Sequence, residues 1–192
     1  MPLDVLPKSL RKTPFSLKEA SRAGLTKYAI EQFIRAGTLE RLQRSVYQVS
    51  ERAHMDIEDA YRSATLRCGL PSAICLLSAL EHHHLTDQIP AKTWVLVPNS
   101  KRVQSNDLRL VRSRTPQWEK GIQKCDGYWI TTPERTLIDC LLAKRIMGSA
   151  VALEALKQAA KSKKIKLSDI VDMAKTMGVL HQILSYIEAL SV

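Results

Sequence analysis

The sequence predicts an α+β protein: an N-terminal winged helix-turn-helix, then an α+β domain with a small sheet and a helical tail. Three observations carry this. Residues 14–49 hold two helix patterns with their own start and stop signals, followed by two short β-prone runs. The middle of the chain breaks into separated apolar runs such as TWVLVP, which suit buried strands. The last third returns to helical periodicity. The expected boundary falls near residue 52, with a DNA-binding domain over 1–52 and a second domain over 53–192.

The elements follow in order. Leu3, Leu6 and Leu10 suit a short first helix, with Pro7 confined to its first turn. Ser16 and Glu19 have capping-box spacing, so a helix is expected from Leu17 to Ala23, stopped at Gly24. Thr26 caps a second helix that ends at Gly37, and Leu25 can staple onto Ile30. At 3.6 residues per turn Ile30, Phe33 and Ile34 share one side of that helix, with Tyr28, Gln32 and Arg35 opposite and Lys27 and Glu31 flanking. Leu39–Leu42 and Val46–Val49, joined by Gln43, Arg44 and Ser45, form the expected wing.

Beyond a polar connector, residues 56–68 suit a helix with Ile57, Ala60, Tyr61 and Ala64 inward, broken by Gly69, Leu70 and Pro71. Residues 72–84 are apolar almost all round and read as a buried helix. Strands are expected at Thr93–Val97, Leu108–Ser113 and Tyr128–Thr131. Thr132 followed by Pro133 and Glu134 opens the helix TPERTLIDCLLAKRI, with Leu137, Ile138, Leu141 and Leu142 inward. Three further helices are expected at 149–160, 168–177 and 179–190.

Charge is distributed unevenly. The formal net charge is +10, and residues 1–52 carry ten basic against five acidic side chains, half of the excess in about a quarter of the chain. Attraction to phosphate requires that concentration, whereas solubility alone explains only the sign. The four cysteines, at 68, 75, 125 and 140, form no C-x-x-C pair and read as free thiols rather than disulfides or zinc ligands. The N-terminal residues lack a secretory pattern and no apolar run has the length of a membrane span, so a soluble, cytoplasmic protein without membrane attachment is expected.

Two places in the sequence invite a chemical reading. Glu81, His82, His83, His84 and Asp87 invite a metal, but neighbouring helix positions diverge and at most two ligands can converge, too few for a closed site. Histidines at a helix C-terminus also suit its negative dipole end. A nuclease needs carboxylates on adjacent strands to hold magnesium, and the strands expected in the second domain carry none. The reading is therefore of no catalytic residues, no metal and no cofactor.

The residues placed toward DNA are Lys27, Tyr28, Gln32 and Arg35 on the second helix, with Glu31 secondary. Arg41, Gln43 and Arg44 belong to the wing, and Lys18 and Arg22 to the first capped helix. Gln pairs bidentately with adenine and Arg with guanine, while wing and first-helix cations suit phosphate. The alternative is that Lys27, Glu31 and Arg35, spaced four apart, pair along a solvated helix. In the second domain Arg109, Arg112 and Arg114, or the stretch containing Lys157, Lys161, Lys163 and Lys164, are the basic groups that stand out, their alternative being an ordinary solvated face.

Three segments carry a family resemblance: FSLKEASRAGLTKYAIEQFIRAGTLERLQRSVYQV, SALEHHHLTDQIPAKTWVLVP and TTPERTLIDCLL. In order and separation they resemble the AbiEi-like antitoxins of type IV toxin–antitoxin systems, which are linked to abortive phage infection. The resemblance implies an autorepressor binding inverted-repeat double-stranded operator DNA. It also implies an antitoxin counteracting a nucleotidyltransferase-like toxin, a function generally described without a stable complex, in which the second-domain basic groups would engage the toxin, its nucleic-acid substrate or further operator DNA. Ser45 stands where family members commonly place Gly. Two other functions are weighed: a winged-helix regulator whose second domain senses a ligand or dimerises, and a DNA-modifying enzyme.

Overall fold

A computed structural model describes residues 2–50, 56–103, 105–113, 117–162 and 165–189. The chain divides into two compact units, Met1–Leu70 with Asp126–Tyr128, and Pro71–Cys125 with Trp129–Val192. No helix among the described residues is long and apolar enough to cross a membrane.

The N-terminal unit is built on local signals. In place of the expected first helix, Leu3–Val5 and Lys8–Leu10 form two 3-10 turns, because Pro7 takes φ −53°, ψ 134° between them and interrupts any continuous helix. Leu6 and Leu10 are nevertheless buried, while Leu3 is exposed. Strand β1 (Phe15–Ser16) leads directly into α1 (Leu17–Arg22). The capping box forms as spaced: Ser16 Oγ accepts from Glu19 N, and Glu19 Oε2 accepts from Ser16 N at 2.8 Å. Gly24 at φ +86° ends the turn. Helix α2 (Lys27–Arg35) starts with Thr26 Oγ1 accepting from Ala29 N.

The wing consists of β2 (Leu39–Gln43) and β3 (Val46–Val49), antiparallel, with β3 also pairing β1 to give the order β1-β3-β2. Its turn is shorter than expected. Gln43 pairs with Val46 across a bulge, leaving Arg44 and Ser45 as the turn. Phe15, Ile30, Phe33, Leu39 and Tyr47 form the core with Leu6 and Leu10. Helix α3 (Ile57–Cys68) follows, capped by Asp56 through Asp59 N. Tyr61 and Ala64 are buried as expected, but Ile57, the first residue of α3, is exposed. Tyr61 meets Tyr128 edge-on at 5.7 Å.

The C-terminal unit has a five-stranded sheet of order β6-β5-β4-β8-β7. Its strands are β4 (Ala73–Ile74), β5 (Thr93–Pro98), β6 (Leu108–Ser113), β7 (Ile122–Cys125) and β8 (Tyr128–Thr131). β5 runs antiparallel to β4 and parallel to β6, and β4 runs parallel to β8. The apolar run expected as one helix over 72–84 is split. Ala73 and Ile74 are the fully buried central strand, and α4 spans only Leu76–His82. A short apolar run fits either conformation, and here the sheet claims its first residues.

Thr132 caps α5 (Pro133–Leu142) with Pro at its start, followed by α6 (Lys144–Met147). The tail supplies α7 (Ser149–Ser162), α8 (Leu167–Thr176) and α9 (Leu180–Glu188). Leu137, Ile138 and Leu141 anchor α5 in a core that also takes Leu156, Ile170 and Ile183, while Leu142 lies half-buried at its margin.

Candidate nucleic-acid interface

The face of α2 divides as its periodicity dictates. Ile30 and Phe33 are buried at 1% and 0% exposure and Ile34 is half-buried, whereas Lys27, Tyr28, Glu31 and Arg35 are exposed. Burying Ile30 and Phe33 is worth about 1.5–3 kcal/mol each, which fixes the rotation of α2 and holds the polar side outward. Tyr28 is 71% exposed, a large aromatic ring with no core to fill. Gln32 is half-buried beside it.

Among the described residues, Lys27, Glu31 and Arg35 form no ion pairs with one another. The four-residue ladder that a merely solvated helix would use is therefore not made.

Two further cationic groups lie on the other elements of the same unit. Lys18 and Arg22 are exposed on α1. Arg44 is exposed at the wing turn, and Arg41 is exposed on β2 with its Nε donating to Gln43 O at 3.3 Å. Gln43 is placed differently from the rest: it is half-buried, and its Oε1 accepts from Arg67 Nε of α3 at 2.7 Å. Leu17 N donates to Ser45 O at 2.9 Å, tying the wing turn to the start of α1. Ser45 itself adopts φ +64°, the left-handed conformation that glycine takes most easily.

Two arginines that sequence patterning passed over brace this assembly. Arg67 holds the wing through Gln43. Arg62 Nη2 donates to Glu19 Oε1 at 2.7 Å and its Nε donates to Pro14 O, so α3 buttresses the same carboxylate that caps α1. Their only sequence signal is a basic residue near the inward stripe of an amphipathic helix.

In the C-terminal unit the basic residues are dispersed. Arg109 is exposed on β6 with its guanidinium 4.1 Å from the centre of the Trp94 ring, a cation–π contact that leaves its N–H edges to solvent. Arg112, Lys157 and Lys161 are exposed. Arg114, Lys163 and Lys164 lie outside the described residues.

The histidine cluster does not converge. His83 Nε2 donates to Thr131 O at 2.8 Å, and burial holds its imidazole below the ordinary value, favouring the neutral ring. No group of three metal-ligating side chains occurs among the described residues. Cys68, Cys75 and Cys140 are buried thiols outside any disulfide and Cys125 a half-buried one, and burial pushes the Cys140 thiol well up, away from the reactive thiolate.

A capped helix, a glycine turn, a second helix with its polar side outward and a β-hairpin define a winged helix-turn-helix protein. Residues 5–50 match a family described as "Transcriptional regulator, AbiEi antitoxin". The resemblance to AbiEi-like antitoxins is thus supported over the segment that holds the α2 face and the wing. The fold is similar to the crystal structure of the RV2827C protein from Mycobacterium tuberculosis. That comparison has a TM-score of 0.52 and 15% identity, covering 88% of this chain and 72% of that one. No curated protein matches the chain.

Proposed function

We propose that the protein is the antitoxin of a type IV toxin–antitoxin system that represses its own operon from inverted-repeat double-stranded DNA and counteracts a nucleotidyltransferase-like toxin. The observation that carries the DNA half is the unpaired polar side of α2, with Tyr28 and Arg35 open beside a basic wing, inside the segment that matches the antitoxin-regulator family. Lys27, Tyr28, Gln32 and Arg35 face bases or flanking phosphates. Lys18, Arg22, Arg41 and Arg44 hold the backbone, and Gln43 sets the position of the wing through Arg67. The antitoxin half rests on the family match, and the basic residues proposed to serve it are Arg109, Arg112 and Arg114, or Lys157, Lys161, Lys163 and Lys164. No catalytic role is assigned, and the protein is proposed to act in the cytoplasm.

Gel-shift titration on the operator at two salt concentrations tests the interface. Arg35→Ala is expected to cost about 1–3 kcal/mol and to relax sequence preference. Arg44→Ala is expected to weaken all duplexes alike and to lower the log–log salt slope by about 1. Unchanged affinity in both variants overturns the assignment.

A further inference from the structure

The C-terminal unit contains a cavity of about 330 Å³ between β5, β6 and α5. That volume lies at the small end of ligand sites, which run about 300–1,000 Å³. Leu96, Val111, Leu142 and Met177 give it an apolar wall, and Arg112, Arg135 and Asp139 line its polar end.

Arg135 is 2% exposed, so a guanidinium is held inside the fold. Its Nε donates to Asp139 Oδ2 at 2.8 Å, and its Nη1 donates to the carbonyl oxygens of Trp118 and Lys120. Nη2 has no hydrogen-bond partner among the described residues, nor does Asp139 Oδ1. Both atoms belong to side chains that line the cavity. A guanidinium carries five N–H donors, and the ones left over here are offered to an acceptor entering the cavity, most strongly to a carboxylate.

The charge count selects that anion. Arg112 and Arg135 against Asp139 leave one positive charge, which a monoanion balances and a phosphate dianion does not. The Asp139 carboxylate is already paired with Arg135 through Oδ2, so the unanswered positive charge at the polar end is that of Arg112.

We propose that this cavity binds a small amphipathic carboxylic acid, its carboxylate held by Arg112 and Arg135 and its hydrocarbon body against Leu96, Val111, Leu142 and Met177. All of these residues belong to the C-terminal unit, so the site is independent of operator binding.

Isothermal titration of the full-length protein with octanoate, octanol and octylamine tests it. Octanoate is expected to bind one-to-one and at least tenfold tighter than the alcohol or the amine. Arg112→Gln, at an exposed position that leaves the fold intact, is expected to weaken octanoate tenfold or more. Ile146→Trp, which places an indole on the half-exposed rim, is expected to abolish binding. Absence of saturable octanoate binding, equal binding of octanol, or full binding by Ile146→Trp overturns the proposal.

Discussion

At the scale of single residues, Ser45 and Asp139 hold conformations or environments that cost the fold something, and both costs are measurable. A non-glycine residue in the left-handed region costs about 1–2 kcal/mol, and glycine recovers part of this while losing about 0.5–1 kcal/mol of chain entropy. Ser45→Gly is therefore expected to be neutral or to stabilise by up to about 1 kcal/mol, whereas the β-branched Ser45→Val destabilises by about 1–3 kcal/mol. Urea unfolding of both variants checks the order, and a Gly variant less stable than the Val variant contradicts it. Asp139 acts through pH. Burial raises its carboxyl from the ordinary 3.8 to about 6, with Arg135 opposing. The folded state thus binds this proton more tightly than the unfolded one. The stabilisation is complete below about pH 4 and is lost as pH rises through 6, amounting to about 3 kcal/mol at most. Asp139→Asn should flatten stability between pH 4 and 7, and a slope identical to the parent's rejects this.

At the scale of elements, the wing depends on a neighbour that sequence pattern does not reveal. Gln43 Oε1 is engaged by Arg67, so Gln43→Ala is expected to weaken operator binding through wing position while leaving the salt slope unchanged. A slope lowered by about 1 would instead make Gln43 a phosphate-contact residue. The contrast shows what was legible. Ser16 with Glu19, Thr26, Gly24, Gly37 and Thr132 act within a turn of themselves, so their helices begin and end close to where spacing places them. Ala73 and Ile74 are strand only because β5 and β8 flank them, a non-local cause. Pro7 favours a helix start by its own geometry, yet here it separates two 3-10 turns, with Leu6 buried just after the first and Leu10 buried within the second. The Arg135–Asp139 pair has the visible spacing of a helix neighbour pair, but its burial follows from the C-terminal core rather than from that spacing.

At the scale of the whole molecule, the proposed repression and neutralisation belong to different compact units, and the manner of separating them matters. Deleting residues 1–52, the domain boundary proposed from sequence, is a poor test. The N-terminal unit runs to Leu70 and includes Asp126–Tyr128, where Tyr128 is 1% exposed against Tyr61. Removing its surroundings bares an aromatic ring and the inward side of α3, so loss of toxin rescue would report misfolding as readily as function. Point changes on the outward side of α2 avoid this, since Lys27 and Arg35 are exposed and make no ion pair among the described residues. The full-length Lys27→Ala, Arg35→Ala double variant is expected to unfold within about 0.5 kcal/mol of the parent, as surface substitutions do. It should lose operator repression and still rescue cells from the toxin. Loss of rescue by this stable variant would mean that neutralisation passes through the DNA-binding face, and the assignment of the two activities to separate units would fall.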